Sequence, residues 1–221
     1  TFVAATAATA ATLVAPVVQA QSLPAGPVRI LVGFAPGGGT DILARIVAQK
    51  LQTMWGITVL VENRAGATGV IAAEAVAKAA PDGNTLLMAH INSHALAPAL
   101  MPKLSYVVDR DFTPLTLVGI TPNLLICNND QPAKTVAELV AQCKSNPGKV
   151  SFGSAGQGSA QHMALESFKL AAGVDTIHIP YKGSGPMLAD LIGGQIAYSF
   201  DTMTAATPHV KSGKVRASAQ T

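Results

Sequence analysis

The sequence predicts an α/β protein of two lobes, and three observations support this fold class. Short apolar runs alternate with amphipathic stretches of helical period, as strands and helices packed in layers do. The first runs follow the order β-α-β-α-β, which is typical of an open parallel sheet. A strand, a glycine-rich loop and a helix follow one another at Gly33–Asp41 and again at Gly153–Ser159. One such unit in each half predicts lobes at residues 21–112 and 113–221.

The first lobe begins with an apolar run at Val28–Phe34, as expected for a strand buried on both faces. The first helix is predicted from about Thr40 to Met54, because its apolar residues recur at helical spacing. Thr40 or Asp41 is expected to cap this helix, and Gly56 to end it. The next elements are a strand, a helix and a strand at Ile57–Glu62, Val70–Ala79 and Thr85–Ala89.

The rest of the chain follows the same rules. Thr135 is expected to cap a helix, with Glu138 completing a capping box. The predicted helices are Ala95–Lys103, Thr135–Asn146, a helix after Ser159 to about Ala172, Met187–Ile192 and Ala205–Lys211. The predicted strands are Leu115–Gly119, Asn123–Cys127, Val150–Phe152, Thr176–Pro180, Gln195–Phe200 and Lys214–Ala219, and Tyr106–Phe112 is linking chain.

The composition argues against a nucleic-acid partner. The 221 residues are 49% hydrophobic and 12% charged, which is typical of a globular protein with ample core. The net charge is only +3, and the basic residues are scattered rather than grouped along one segment.

Residues 1–20 are interpreted as the remnant of a signal peptide. They carry no charged residue, Leu13–Val18 resembles a hydrophobic region, and Val18–Ala20 has the small-x-Ala pattern of a cleavage site. An Ala-rich disordered tail is the alternative. No later stretch has eighteen uninterrupted apolar residues, so we expect export to the periplasm without a following transmembrane helix. Because the chain lacks an initiator Met, it is expected to start inside a longer reading frame.

The chain has two cysteines, Cys127 and Cys143. Export would permit a disulfide between them. Two separate buried thiols are the favoured interpretation, because the predicted strand and helix that carry them need not place them in contact. Their spacing matches no metal motif.

The two glycine-rich loops fit none of the common phosphate or nucleophile motifs. Gly33–Asp41 has neither the G-x-G-x-x-G spacing nor the P-loop lysine, and Gly153–Ser159 lacks the G-x-S-x-G spacing. Each loop alone is equally explained by a tight structural turn. Two such loops, each before a helix N-terminus, favour a clamp that holds an anion with backbone donors from both lobes.

Single polar residues give weaker evidence for a ligand site than the two loops do. Asp41 is more simply a helix cap than a ligand contact, and Asp201 either caps the next helix or accepts from a ligand. His94 and His162 are the best histidine candidates, yet structural hydrogen bonding is the commoner role for each. No residues have metal-ligand spacing, no catalytic set is recognisable and no cofactor is expected.

Motifs along the whole chain after Ala20 resemble the tripartite tricarboxylate transporter substrate-binding proteins, the Bug/TctC family. They are Gly33–Asp41, Val61–Gly69, Pro81–Gly83, Asp111–Pro114, Asn146–Lys149, Phe152–Gly156, Pro180–Gly183 and Asp190–Gln195. The resemblance implies a two-lobed periplasmic-binding-protein-like fold of type II. It also implies a non-enzymatic solute-binding protein that delivers a small organic carboxylate to the membrane permease subunits of an ion-driven transporter.

The resemblance also implies which residues bind the carboxylate, partly through water. The first wall would be Phe34, Ala35, Gly37, Gly38, Thr40 and Asp41, edged by Ser93 and His94. The second wall would be Ser154, Ala155, Gly156, Ser159 and His162, with Tyr181 and Asp201 at neighbouring strand ends.

Three further expectations complete the prediction. Family members continue after the position of Thr221 to complete the first lobe, so that lobe is expected to be incomplete and this chain to be unstable or to bind poorly. Ligand presentation to a sensor kinase is a second role that the resemblance leaves open. The alternative class is an α/β enzyme whose glycine-rich loops hold a phosphorylated or nucleotide substrate.

Overall fold

The computed structural model describes residues 26–220, and the signal-peptide prediction at residues 1–20 lies outside this range. The strands within it are β1 (Val28–Val32), β2 (Val59–Asn63), β3 (Thr85–Met88), β4 (Asn123–Cys127), β5 (Ser151–Ser154), β6 (Ile177–Pro180), β7 (Tyr198–Thr202) and β8 (Arg216–Gln220).

The helices within the same range are α1 (Gly39–Trp55), α2 (Val70–Ala77), α3 (Ala97–Leu100), α4 (Val108–Asp111), α5 (Val136–Ser145), α6 (Ala160–Ala172), α7 (Ser184–Ile192) and α8 (Met203–Lys211). A 3₁₀ turn at Ala67–Gly69 precedes α2, and a π-helical turn at Asn92–Leu96 precedes α3. In the described part of the chain, no helix has the length and apolar character needed to cross a bilayer.

The strands form two sheets, one in each predicted lobe. The first has the order β2-β1-β3, and β1 pairs in parallel with both neighbours. The second has the order β6-β5-β7-β4-β8, in which β5 is parallel to β6 and β7 while β4 is antiparallel to β7 and β8. Parallel strands end at one edge of a sheet, so the loops that follow them cluster there. The α/β class and the β-α-β-α-β order of the first lobe are confirmed.

Apolar layers cover the sheets and hold the loops at their edges. In the first lobe Ile30 and Val32 of β1 pack with Ala44 of α1. In the second lobe the neighbouring residues Leu125 and Ile126 of β4 belong to two different cores. Successive strand residues face opposite sides of a sheet, so the second sheet is buried on both faces.

The strand predicted at Leu115–Gly119 is wrong. No regular element covers residues 112–122, and the apolar side chains are open to solvent, with Leu115 74%, Leu117 75% and Ile120 85% exposed. A strand needs a hydrogen-bonded neighbour, and none of the described strands pairs with this segment. An apolar run is therefore insufficient evidence for a strand when nothing shows its partner.

Several helix ends also differ from their predictions. The N-cap of α1 is Gly38 rather than Thr40 or Asp41, whereas Gly56 ends the helix in a left-handed conformation as expected. The helix predicted at Ala95–Lys103 begins earlier with the π-helical turn and ends at Leu100, and α4 lies within the predicted linking chain. Thr135 caps α5 by accepting from the Glu138 N–H as predicted, but the Glu138 carboxylate accepts from the Lys134 N–H rather than from Thr135.

Cys127 and Cys143 are free thiols buried in the same apolar core of the second lobe. Burial raises the pKa of both thiols above the ordinary range. The interpretation of two separate buried thiols is confirmed.

Candidate functional site: a cleft between the two lobes

The loop after β1 is held in place by the carboxylate of Asp41. This side chain is only 3% exposed, and its Oδ2 accepts from the Gly37 N–H and from Arg45 Nε at 3.0 Å each. Its Oδ1 accepts from Asn63 Nδ2 at 2.8 Å. Burial by itself would raise the pKa of Asp41, but the hydrogen bonds from Arg45, Gly37 and Asn63 outweigh it and lower the pKa. Asp41 thus ties the loop to α1 and β2.

The loop after β5 is held by neutral groups instead. Ser159 is the N-cap of α6, and its hydroxyl accepts from the His162 N–H at 3.2 Å. The Ser154 hydroxyl accepts from the Gly156 N–H at 3.1 Å and lies 2.7 Å from His178 Nε2. Both serines are fully buried, so their hydroxyls shape the loop from behind.

Two imidazole rings stack behind this second loop. His162 and His178 lie 3.9 Å apart between ring centroids with an interplanar angle of 16°, and His162 Nδ1 accepts from the Gly158 N–H. Burial lowers the pKa of both rings, and His162 adds to the effect on His178, whose pKa falls to about 4. The stack is therefore neutral at ordinary pH, and it supports the loop without adding charge.

The lobes touch directly across the cleft. The Ala35 N–H in the first lobe donates to the Lys182 carbonyl in the second at 2.9 Å. At Gly183, φ is +138° and an added Cβ would lie 2.9 Å from the Ala35 nitrogen, so only glycine allows this approach. A Cβ at Gly185 would likewise collide with the Pro36 carbonyl. The structure therefore shows the lobes closed on each other.

A cavity of about 320 Å³ lies where the two lobes meet. Its first-lobe wall is Gly33, Phe34, Gly66, Ala67, Thr68 and Met101, and its second-lobe wall is Ala155, Gly156, Gln157, Pro180, Tyr181 and Lys182. The wall is mostly apolar, and Lys182 is the single charged residue among those that line it. A volume of this size suits a small molecule with an apolar body.

Backbone strain marks the first-lobe wall of this cavity. Thr68 has φ 53° and ψ 35°, and its neighbour Ala67 has φ 45°. The left-handed region is unfavourable for a β-branched residue. Strained residues of this kind cluster at ligand sites, where the surrounding structure holds them in place.

A second cavity, of about 10 Å³, shares Phe34 and Ala155 with the first, because these two residues line both spaces. The remaining wall is Gly38, Gly39, Thr40, His90, Asn92, Gln161, Ser184 and Thr202. Three buried polar atoms of this wall have no hydrogen-bond partner within the described residues: Asn92 Nδ2, Gln161 Oε1 and Thr202 Oγ1. Buried polar groups are nearly always paired, so these atoms indicate that the space receives a polar group.

Asp201 lies just behind this small cavity and is fully buried. Its Oδ1 accepts from the Ser184 hydroxyl at 2.5 Å, and the Thr202 N–H and the Gln161 side chain also face the carboxyl. Burial raises its pKa to about 7, although the hydrogen bond from Ser184 lowers it. The carboxyl is therefore partly protonated near neutral pH.

The structure brings part of the predicted residue set to the cavity walls. The lining members are Phe34, Gly38, Thr40, Ala155, Gly156 and Tyr181. The members that lie behind the walls or between the lobes are Ala35, Gly37, Asp41, Ser154, Ser159, His162 and Asp201. The members behind the walls hold the lining residues in position.

Ser93 and His94 line neither cavity. The His94 ring packs against Tyr106 and Phe112, with a centroid distance of 4.7 Å to Phe112. The Ser93 hydroxyl lies 2.9 Å from His94 Nδ1, and its carbonyl accepts from the Tyr106 hydroxyl. These contacts belong to the core of the first lobe.

Sequence reasoning missed several lining residues. The loop Gly66–Gly69 was recognisable by its glycines, but its left-handed backbone was not. Asn92, Gln161, Ser184 and Thr202 follow or begin predicted elements, so their position at a strand's carboxyl edge was the available clue. No three His, Cys, Asp or Glu side chains form a metal-binding group in residues 26–220.

Solved structures place this arrangement in a class. A protein of R. palustris solved with adipate shares 35% identity, covers 90% of this chain and 67% of its own, and superposes with a TM-score of 0.87. MatC from Rhodopseudomonas palustris with bound malate shares 36% identity over 90% and 67% of the two chains, with a TM-score of 0.83. BugD, a periplasmic binding protein, shares 37% identity over 90% and 66%, with a TM-score of 0.82. The predicted periplasmic-binding-protein fold is confirmed.

The family follows from sequence comparison. Residues 43–221 match the family described as the tripartite tricarboxylate transporter family receptor, TctC. BugT of Bordetella pertussis is 43% identical over 90% of this chain and 62% of that protein. This chain belongs to the TctC receptor family, which confirms the Bug/TctC prediction. It spans about three fifths of the length of the curated relatives that it matches.

Proposed function

We propose that this chain is the solute-binding component of a tripartite tricarboxylate transporter and captures a small organic carboxylate between its lobes. One observation carries the proposal. The start of α1, capped by a glycine that offers no side-chain acceptor, opens onto a cavity whose other walls hold unpartnered polar atoms from both lobes. A helix start with free N–H groups attracts an anion.

The two cavities would hold chemically different parts of the ligand. A carboxylate oxygen would accept, directly or through water, from the N–H groups at Gly38–Thr40 beside the small cavity. The body of the acid would occupy the larger space between Phe34, Thr68 and Tyr181. The adipate and malate with which two relatives were solved support this class of ligand.

The proposal includes a location and a partner. The periplasm is supported by the periplasmic binding proteins among the relatives and by the signal-peptide pattern in residues 1–20. Delivery to membrane permease subunits is supported by the family's description as a transporter receptor. Presentation to a sensor kinase is a second role that would use the same closed complex.

The enzyme alternative is weaker because the Ser154–His178 contact beside the cleft is inaccessible. Ser154 Oγ lies 2.7 Å from His178 Nε2, as in a nucleophile–base pair. However, Ser154 is fully buried, and its hydroxyl already accepts from Gly156. A substrate cannot reach an oxygen enclosed in this way.

The test is a thermal-shift panel of di- and tricarboxylates, amino acids, aromatic acids and nucleotides on the full-length protein, followed by calorimetric titration of each hit. A ligand at about 100 times its Kd adds roughly 2.7 kcal/mol of stability. We expect saturable binding of at least one carboxylate without turnover. A shift with nucleotides alone, or hydrolysis of a phosphate ester, would contradict the proposal.

A further inference from the structure

Asn92 connects the two lobes through its side chain. It begins the π-helical turn after β3 in the first lobe, and its Oδ1 accepts from the Ala160 N–H at 3.0 Å. Ala160 is the first residue of α6 in the second lobe. The first N–H groups of a helix have no partner within the helix. Ser159 already serves the His162 N–H, so Asn92 supplies a second acceptor to this helix start from the opposite lobe.

The Ala160 contact determines which way the Asn92 amide points. A backbone N–H can only donate, so the amide oxygen must face Ala160 and the amide nitrogen must face elsewhere. That nitrogen, Nδ2, is buried and finds no acceptor among residues 26–220, in a side chain only 1% exposed. An unpaired buried donor costs about 1–3 kcal/mol. Since Asn92 lines the small cavity together with Gly38–Thr40, a group that enters that space is placed to accept from this nitrogen.

The backbone around Asn92 is held firmly. Its N–H donates to His90 Nδ1 at 3.2 Å, and the His90 ring meets Phe34 edge-on at a centroid distance of 5.2 Å. Phe34 in turn lines both cavities. Single π-helical turns occur frequently at functional sites. The asparagine is thus positioned by the same residues that form the ligand cleft.

We infer that Asn92 couples ligand binding to lobe closure, an inference that rests on the proposed function. Its Oδ1 reaches Ala160 only when the lobes are closed, and in that orientation its Nδ2 donates to the carboxylate. A ligand shifts an open–closed equilibrium only by its difference in affinity for the two states. Asn92 supplies such a difference, because one end of its amide binds the ligand while the other end holds α6.

Two substitutions of Asn92 distinguish the role of its amide oxygen from that of its amide nitrogen. Asn92→Asp keeps an acceptor for the Ala160 N–H but replaces the donor with a carboxylate oxygen that repels the ligand anion. Asn92→Ala removes both ends. Asn128→Asp is the matched control, because Asn128 is also buried and donates through Nδ2 to the Leu191 carbonyl within the second lobe.

The variants are made in the protein's full reading frame and titrated with malate and adipate, while hydrogen exchange reports the Ala160 amide. We expect both Asn92 variants to weaken binding at least about tenfold, since a lost charge-assisted hydrogen bond has this scale. Asn92→Asp keeps Ala160 exchange as slow as in the wild type, whereas Asn92→Ala accelerates it. Asn128→Asp lowers the melting temperature but leaves the Kd unchanged.

The outcomes distinguish this inference from the proposed function. If the wild type binds a carboxylate and both Asn92 variants bind it equally well, the coupling role is wrong and the proposed function stands. If no carboxylate binds the wild type, the proposed function fails. Equal Ala160 exchange in the wild type and Asn92→Ala would overturn the contact between the lobes in either case.

Discussion

The two glycine-rich loops occupy equivalent places in their lobes, but different chemistry holds them. The loop Gly33–Asp41 depends on a buried carboxylate bound to Arg45, Asn63 and a backbone N–H. The loop Gly153–Ser159 depends on two hydroxyls and a pair of stacked neutral imidazoles. In both loops these polar side chains lie on the side away from the cavities, and backbone and small residues face the cavities.

The helix starts behind the loops differ as well. The start of α6 has its own serine cap and an acceptor from the opposite lobe, whereas α1 starts at Gly38 without a side-chain cap. The charge of Asp41 is already neutralised locally by Arg45. Under the proposed function, the uncapped start of α1 is available to the ligand anion, whereas the start of α6 is already bound by Asn92 of the opposite lobe.

The largest effect is expected from removing the carboxylate under the first loop. Asp41→Ala leaves the Gly37 N–H, Arg45 and Asn63 without their shared acceptor, and hydrogen bonds to a buried charged group are worth about 1.5–3 kcal/mol. We expect a loss of about 2–3 kcal/mol in unfolding free energy, measured by urea denaturation. Asp109→Ala, at an exposed residue, is the control of equal charge change, and equal losses in the two variants would refute the role of Asp41.

A smaller loss of unfolding free energy is expected from a substitution behind the second loop, because its hydrogen bonds join neutral groups. Ser154→Ala removes the acceptor of the Gly156 N–H and the partner of His178, at a cost of about 1–2 kcal/mol. Urea denaturation measures the loss, and Ser212→Ala at an exposed hydroxyl is the control. A loss larger than that of Asp41→Ala would reverse the comparison between the loops.

As the pH falls, the stabilising contribution of the second loop should be lost before that of the first loop. The pKa of His178 is about 4 in the folded protein and 6.5 as the ordinary value, so the unfolded chain takes up the proton first. Its stabilising contribution is present above about pH 6.5 and is lost as the pH falls toward 4. The lowered pKa of Asp41 confines its own loss to pH values below its ordinary 3.8.

His178→Gln tests this dependence, because glutamine reaches toward Ser154 but does not ionise. As the pH is lowered from 7 to 5, the melting temperature of the variant minus that of the wild type should increase by roughly 2–4 °C. Comparing the two proteins cancels the opposite contribution of Asp201, whose raised pKa favours the folded state at low pH. Glu166 and Lys169, which also face the imidazoles, are unchanged in the variant. A constant difference across this range would refute the imidazole role, and His209→Gln is the control.

The smallest effect is expected from the partner of Asp41. Arg45 donates through Nε to Asp41 and through a terminal nitrogen to Asn63, but about half of its side chain is exposed. Arg45→Lys loses this fork geometry, and partly exposed pairs contribute about 0.2–1 kcal/mol. We expect a loss of about 0.5 kcal/mol by urea denaturation. A loss as large as that of Asp41→Ala would show that the arginine, rather than the carboxylate, organises the loop.

Local chemistry explains which predictions were successful. Gly56 ended α1 and Thr135 capped α5 as expected, because caps depend on a few neighbouring residues. The run Leu115–Gly119 failed as a strand because pairing depends on a distant partner. The family resemblance placed Ser93 and His94 at the edge of the cleft, and their contacts with Tyr106 and Phe112 in the structure likewise depend on residues farther along the chain.

Periodicity and short motifs are local properties of the chain, and they were enough to predict the α/β class, the two glycine-rich loops and the family. Which residues support the loops and which face the cavities became known only from the tertiary structure. Asp41, Ser154 and Ser159 serve the loops from behind, while Asn92, Thr68 and Lys182 face the cavities. These assignments depend on contacts between residues far apart in sequence, such as Asn92 with Ala160, and only the folded chain brings such residues together.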